Sequence, residues 1–195
     1  DSSSLDDASP SSWGVRGHHS RGELVPPTTC RLCGADAKLQ ESHVIPAFVY
    51  RWQKDTSTTG FLRFSQAPNL RVQDGPRRLW LCTACEARLS EWEGMFVDCV
   101  FRPLLADGGQ RIPYADWMLK FCVSISWRCL LLHVEESDLG HLGDYLQRAI
   151  DRALRVWQEF MLGSRTNPGS HEQHMLPFGE FAAPLPPGAP QNLNR

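Results

Sequence analysis

The sequence predicts an α+β chain in which a small zinc-binding module is followed by an antiparallel α-helical hairpin. Three observations carry this. Two CxxC pairs, Cys30/Cys33 and Cys82/Cys85, bracket a stretch of short strand-like segments. Apolar residues after the second pair recur every three or four positions, as on one helix face. Two longer segments beyond residue 113 repeat that period and are joined by only a few residues, which favours antiparallel neighbours.

The totals set the limits. A chain of 195 residues holds one domain or two small ones, and 42% apolar content is enough for a core. A net charge of -2 excludes a strong overall pull toward nucleic acid or membrane. Local charge differs: residues 28–103 carry ten Lys/Arg against eight Asp/Glu, and both flanks are net acidic. Seven cysteines, an odd number with two CxxC pairs and no secretory signal, argue against a disulfide scaffold. They point to metal ligands in a reducing, cytoplasmic compartment. Four thiolates in two pairs suit tetrahedral Zn²⁺, so Cys30, Cys33, Cys82 and Cys85 are the expected structural zinc ligands.

Residues 1–27 are rich in Ser, Asp, Gly and Pro without apolar period and read as a flexible N-terminal tail. The zinc module spans 28–103. Within it, the first CxxC forms a knuckle, a strand follows near 37–40, and a short helix starts after Pro46 over 47–54. A strand is expected at 61–64. Segments 70–73 and 78–81 read as a hairpin around Asp74-Gly75, a favoured turn pair. The second knuckle runs into a helix with Leu89, Trp92, Met95, Phe96, Cys99 and Val100 inward, ended by Pro103.

The hairpin spans 104–163 and packs on the module. Its first helix is expected at 114–133 with Trp117, Phe121, Ile125, Cys129 and Leu132 inward. Its second is expected at 139–162, capped by Ser137 or Asp138 and stopped by Gly163. Stretch 121–134 is the most apolar, but it includes Arg128 and His133 and falls short of a bilayer span, so it reads as a buried helix with no membrane role. Residues 164–195 form a Pro/Gly-rich C-terminal tail. His171 and His174, three apart, and His18-His19 read as inert, and Cys99, Cys122 and Cys129 as core thiols.

Between the knuckles stands Ser42-His43-Val44-Ile45-Pro46, followed by Asn69-Leu70 and then Leu81-Cys82-x-x-Cys85-Glu86. With Cys30-x-x-Cys33 ahead of it, this series resembles the HNH endonucleases, the zinc-ribbon, treble-clef branch of the ββα-metal group. The resemblance covers residues 30 to about 95. It implies metal-dependent hydrolysis of DNA phosphodiester bonds, and a home in mobile-element, phage or antiphage systems. Carried over by position, His43 is the general base, Asn69 orients it, and Glu86 holds a catalytic Mg²⁺ or Mn²⁺. Ser42 stands where the family has an acidic residue, and Glu86 where it has its second histidine. Glu41, the adjacent acid, would point to the opposite side of a strand.

Arg63, Arg71, Arg77, Arg78 and Arg88 cluster around this region and are the expected contacts to the DNA backbone. Two other readings stay open. One is a non-catalytic zinc module that binds nucleic acid or a protein partner. The other is an assembly subunit whose helical hairpin or tails engage another chain.

Overall fold

The computed structural model describes residues 27–64, 67–107, 112 and 115–175. In chain order it contains β1 (Leu39–His43), α1 (Ala47–Thr56), β2 (Leu62–Phe64), β3 (Ala67–Val72), β4 (Arg77–Cys82) and α2 (Thr83–Phe96). A π-helical stretch, Val97–Phe101, leads into α3 (Arg102–Asp107); α4 (Asp116–Glu136), a 3₁₀ turn (Leu139–His141) and α5 (Asp144–Leu162) follow. The architecture is mixed α+β, with helices predominating over two small antiparallel sheets. The expected N-terminal tail, His18-His19 and residues 176–195 lie outside the described residues, except for Pro27.

Strand pairing departs from the hairpin expected around Asp74-Gly75. β3 pairs with β2, and β4 pairs with β1. Burial decides this. β4 carries Trp80 and Leu81, which are buried, and β1 brings buried Leu39 and Ser42 beside them, whereas β3 is largely exposed. Asp74-Gly75 therefore links two sheets instead of closing one. A Cβ at Gly75 would stand 1.9 Å from Tyr50 Cζ, so only glycine lets the α1 ring lie against this link. The β1–β4 register slips between Gln40 and Glu41, leaving Trp80 as the extra residue. The Trp80 carbonyl accepts the Arg31 amide at 2.7 Å and ties the first CxxC loop to the sheet.

α2 buries Leu89, Trp92 and Phe96, as its period predicts, but Met95 and Cys99 are exposed. Pro103 does not end the helical run. The π-helical stretch lets the Arg102 amide reach back to the Val97 carbonyl, so Pro103 falls in the first turn of a new helix, where no proline N–H is required. The boundary expected after residue 103 thus lies inside α3.

α4 begins at Asp116 and runs to Glu136. Its buried face is Phe121, Val123, Ser124, Trp127, Arg128 and Leu131, rotated from the expected stripe: Trp117, Ile125, Cys129 and Leu132 are only half-buried. The rotation follows from α4 packing on two sides, against α2 and α5. By length and composition α4 is apolar enough to cross a membrane, yet Phe121 stacks on Phe96 of α2 at 4.0 Å and Trp127 is fully enclosed. Residues 139–141 turn separately, with the Asp138 carboxylate accepting the Gly140 amide, so α5 starts at Asp144. Gly163 ends it with φ 86°, a left-handed cap. Ala153, Trp157, Phe160 and Met161 face inward, while Leu146 is exposed.

One apolar cluster runs from Cys30 and Leu32 through Trp80, Leu89 and Phe96 to Phe121, Trp157 and Met161. Module and helical pair therefore share a core. The segment after α5 folds back over it: Gln173 accepts from Ser126, and His171 meets Trp157 edge-on.

Candidate functional site

The loop holding Cys30 and Cys33 turns through Gly34, whose φ of 75° few other residues adopt without strain. The Gly34 amide donates to the Cys30 carbonyl at 2.8 Å and closes the knuckle. β4 delivers Cys82 as the residue before α2, and the first turn of α2 supplies Cys85. The four sulfurs lie within 4.8 Å of one another, and Cys33 Sγ is 3.8 Å from Cys82 Sγ. A tetrahedron with Zn–S of about 2.3 Å has S···S edges of about 3.8 Å. The cluster fits a structural metal such as zinc.

The thiols respond unequally to this setting. Burial raises the Cys30 thiol, but amide hydrogen bonds at Cys33, Cys82 and Leu32 outweigh it and lower it to about 7. The Cys82 amide donates to Cys30 Sγ at 3.3 Å. Burial and the neighbouring sulfurs push Cys85 up. At Cys33 the Ala35 amide lowers the thiol, yet burial and adjacent sulfurs leave it raised. Protein groups alone favour one thiolate here; a divalent cation would stabilise the rest.

β1 begins opposite Cys82 and, running away from the cluster, carries the second set of groups. Ser42 points inward, fully buried, and its hydroxyl donates to Glu86 Oε2 at 2.5 Å. Glu86 sits on the first turn of α2, next to Cys85. Glu41 is exposed and pairs with Arg77, as strand alternation predicts. His43, half-buried, lies opposite Arg77 in the β1–β4 ladder. Its Nε2 is 3.0 Å from Asp74 Oδ2 and 3.1 Å from Arg77 Nε. Arg77 also pairs with Asp74. The Tyr50 ring lies 6.0 Å from the imidazole.

Burial would raise the Asp74 carboxyl, but hydrogen bonds from His43, Arg77 and the Gly75 amide dominate and hold it well below the usual carboxylate range. A carboxyl lowered by folding contributes stability above its unfolded value, about 3.9, and that contribution fades as pH falls through the folded value. The melting-temperature gap between the parent and Asp74→Asn should accordingly be constant above about pH 5 and close progressively below about pH 4. A gap that stays constant down to the acid limit of folding would contradict this account.

Beneath His43 lies an ion pair between a buried arginine and a half-buried glutamate. Arg128 of α4, 2% exposed, meets Glu93 of α2 at 2.8 Å and donates to the His43 carbonyl at 3.0 Å. Its remaining donors reach the Ser124 carbonyl and hydroxyl. Burial raises the Glu93 carboxyl, Arg128 opposes that through charge and hydrogen bond, Glu86 raises it, and His43 lowers it. The net direction is upward.

Not every residue singled out from the sequence arrives at this cluster. Asn69 is exposed on β3, and the side chain bonded to His43 is Asp74. Arg77 joins the cluster, but Arg78 pairs with Glu136 and Arg88 donates to the Met161 carbonyl, so both brace helices. Arg63 and Arg71 stand exposed on the β2–β3 ribbon. Sequence reasoning took Asp74 only as a turn residue and missed Tyr50 and Arg128 as site neighbours. For Arg128 a signal existed: an isolated charge in an otherwise apolar helix needs a buried partner. No protein-family model, curated protein or solved structure matches the chain.

Proposed function

We propose that the chain is an HNH-like, metal-dependent endonuclease on a treble-clef (ββα-metal) zinc module, hydrolysing DNA phosphodiester bonds with His43 as general base. The single observation that carries this reading is how His43 is held. Asp74 and Arg77 engage Nε2, and among the described residues Nδ1 has no hydrogen-bond partner. The two contacts call for opposite tautomers, since Asp74 needs a proton on Nε2 and the Arg77 Nε–H needs Nε2 bare. In the tautomer with Nε2–H turned to Asp74, Nδ1 is the bare nitrogen that accepts a proton from water. A base oriented by a carboxylate is the arrangement expected of such a site. In this reading Asp74 takes the bracing role expected of Asn69. The order of parts also supports it: a CxxC loop, a strand ending in His43, a strand entering the second CxxC, and a helix carrying Glu86.

Glu86 is the carboxylate that would hold Mg²⁺ or Mn²⁺, with Ser42 fixing one of its oxygens. Such ions use one or two carboxylates and take their other ligands from phosphate and water. Bound there, the ion would polarise the scissile phosphate. Replacing His43 by Ala should lower plasmid nicking about 10²- to 10⁴-fold in Mg²⁺ or Mn²⁺ while melting stays cooperative. A folded His43→Ala protein that nicks as fast as the parent rejects the assigned base.

A non-catalytic zinc module is the second reading. It is favoured by one observation: both nearby carboxylates on α2 are already occupied, Glu86 by Ser42 and Glu93 by Arg128. DNA binding without nicking under any divalent ion would select it.

A further inference from the structure

A cleft of about 390 Å³ opens between α1 and the β2–β3 ribbon, with Tyr50, Phe61, Leu62, Arg63 and Val72 on its walls. Asp74, one of its lining residues, is bonded to His43. Two aromatic rings and two aliphatic side chains make half of its lining; Gln53, Arg63, Asp74 and Gly75 complete it.

The ribbon beside it is charged in an unusual way. Between residues 56 and 73 the only charged residues are Arg63 and Arg71. They are direct cross-strand partners. Like charges placed opposite each other are unfavourable unless an anion answers them. Among the described residues neither has a carboxylate partner: Arg63 donates to the Pro68 carbonyl, and the Arg71 guanidinium lies 4.9 Å from the centre of the Phe61 ring. Arginine, with its planar fork, suits phosphate oxygens. An aromatic wall with Arg63 in the lining and Arg71 beside it over the Phe61 ring matches a nucleotide, with the base against the rings and the phosphates near the guanidinium groups. Bases inside a duplex are stacked and cannot enter such a recess unless extruded.

We infer that this cleft binds one unpaired nucleotide of single-stranded DNA, its base stacked on Phe61 and Tyr50 and its phosphates held by Arg63 and Arg71. The inference rests on the nucleic-acid reading above and narrows its substrate to unpaired DNA beside His43. Stacking of this kind tolerates any base, so sequence preference through this cleft is weak.

The test uses the full zinc-loaded chain. Fluorescence anisotropy, without Mg²⁺ or Mn²⁺, compares a labelled single-stranded oligodeoxynucleotide with its duplex. The single strand should bind at least about tenfold tighter, and Phe61→Ala should weaken it about 5- to 150-fold while duplex binding holds. Phe61→Leu keeps apolar volume without a ring and should weaken binding like Ala. Phe61→Trp should restore it. Melting curves exclude the trivial case of an unfolded variant. Equal affinity for both forms, or a Phe61→Leu protein that binds single strand like the parent, overturns the inference. Single-strand binding without cleavage after divalent ions are added leaves the inference standing and removes the nuclease reading. Cleavage confined to duplex, indifferent to residue 61, removes the inference and leaves the nuclease. Binding of neither form removes both.

Discussion

Stripping the metal from the four-cysteine cluster is expected to unfold the region from the first knuckle through α2. Few protein contacts hold the first CxxC loop in place. Besides the burial of Leu32, they are the Arg31 amide to the Trp80 carbonyl, Gln158 to the Arg31 carbonyl, the Arg31–Glu135 ion pair, the Thr29–Asp36 bridge, and the Cys82 amide to Cys30 Sγ. Binding of zinc to small tetrathiolate or mixed sites contributes about 10–16 kcal/mol, comparable to or above the roughly 5–15 kcal/mol by which whole domains are stable. Without the cation, Cys85 and the other raised thiols would be protonated, and the sulfurs would lose their common partner. α4 and α5 keep contacts of their own, so helical circular dichroism should fall only in part, while the fluorescence of buried Trp80 changes fully. Cys30→Ser or Cys85→Ser should mimic the chelator and lower bound zinc below one equivalent. A chelated, metal-free sample that melts as cooperatively and as high as the untreated protein would refute the structural role of the cluster.

Arg128→Met is expected to be the most damaging single change outside the cysteines. It leaves half-buried Glu93 without its partner and strips the His43 carbonyl of its donor. Removing one partner of a buried ion pair costs about 3–5 kcal/mol, roughly 6–20 °C in melting temperature for a chain of this size. Removing both partners costs much less, because no buried charge is orphaned. Arg128→Met with Glu93→Leu should regain most of the lost stability. If Arg128 also positions His43, the double variant stays impaired in DNA nicking although it is stable. A single variant that melts within a degree or two of the parent would mean that the pair is solvated and relaxed, contrary to its burial.

The cysteines were legible because their chemistry is local. Two CxxC turns each offer a pair of sulfurs whatever surrounds them, and only one partner set was available. The helices after Cys82 were legible from period and the left-handed stop at Gly163 from residue type, but Asp138 caps a separate 3₁₀ turn and not α5. Pairing of the strands was not. Asp74-Gly75 satisfies the local rule for a hairpin turn, but local preference is worth little against burying Trp80 and Leu81, which placed β4 on β1. The inward face of α4 was misjudged for a related reason. A helix packed on two sides has no single apolar stripe, and Arg128 belongs to its buried face only because Glu93 meets it there.

By itself, then, the sequence determined the four-cysteine cluster and the helix-rich α+β character. Each depends on residue type and near spacing, and both are written along the chain. Tertiary structure alone decided that Asp74 instead of Asn69 holds the imidazole, that Ser42 engages Glu86, and that Arg63 and Arg71 lack a carboxylate partner among the described residues while Arg78 and Arg88 brace helices. Those pairings join residues from separate elements. Their partners are selected by which surfaces are buried together, a competition over the whole chain that no local segment encodes.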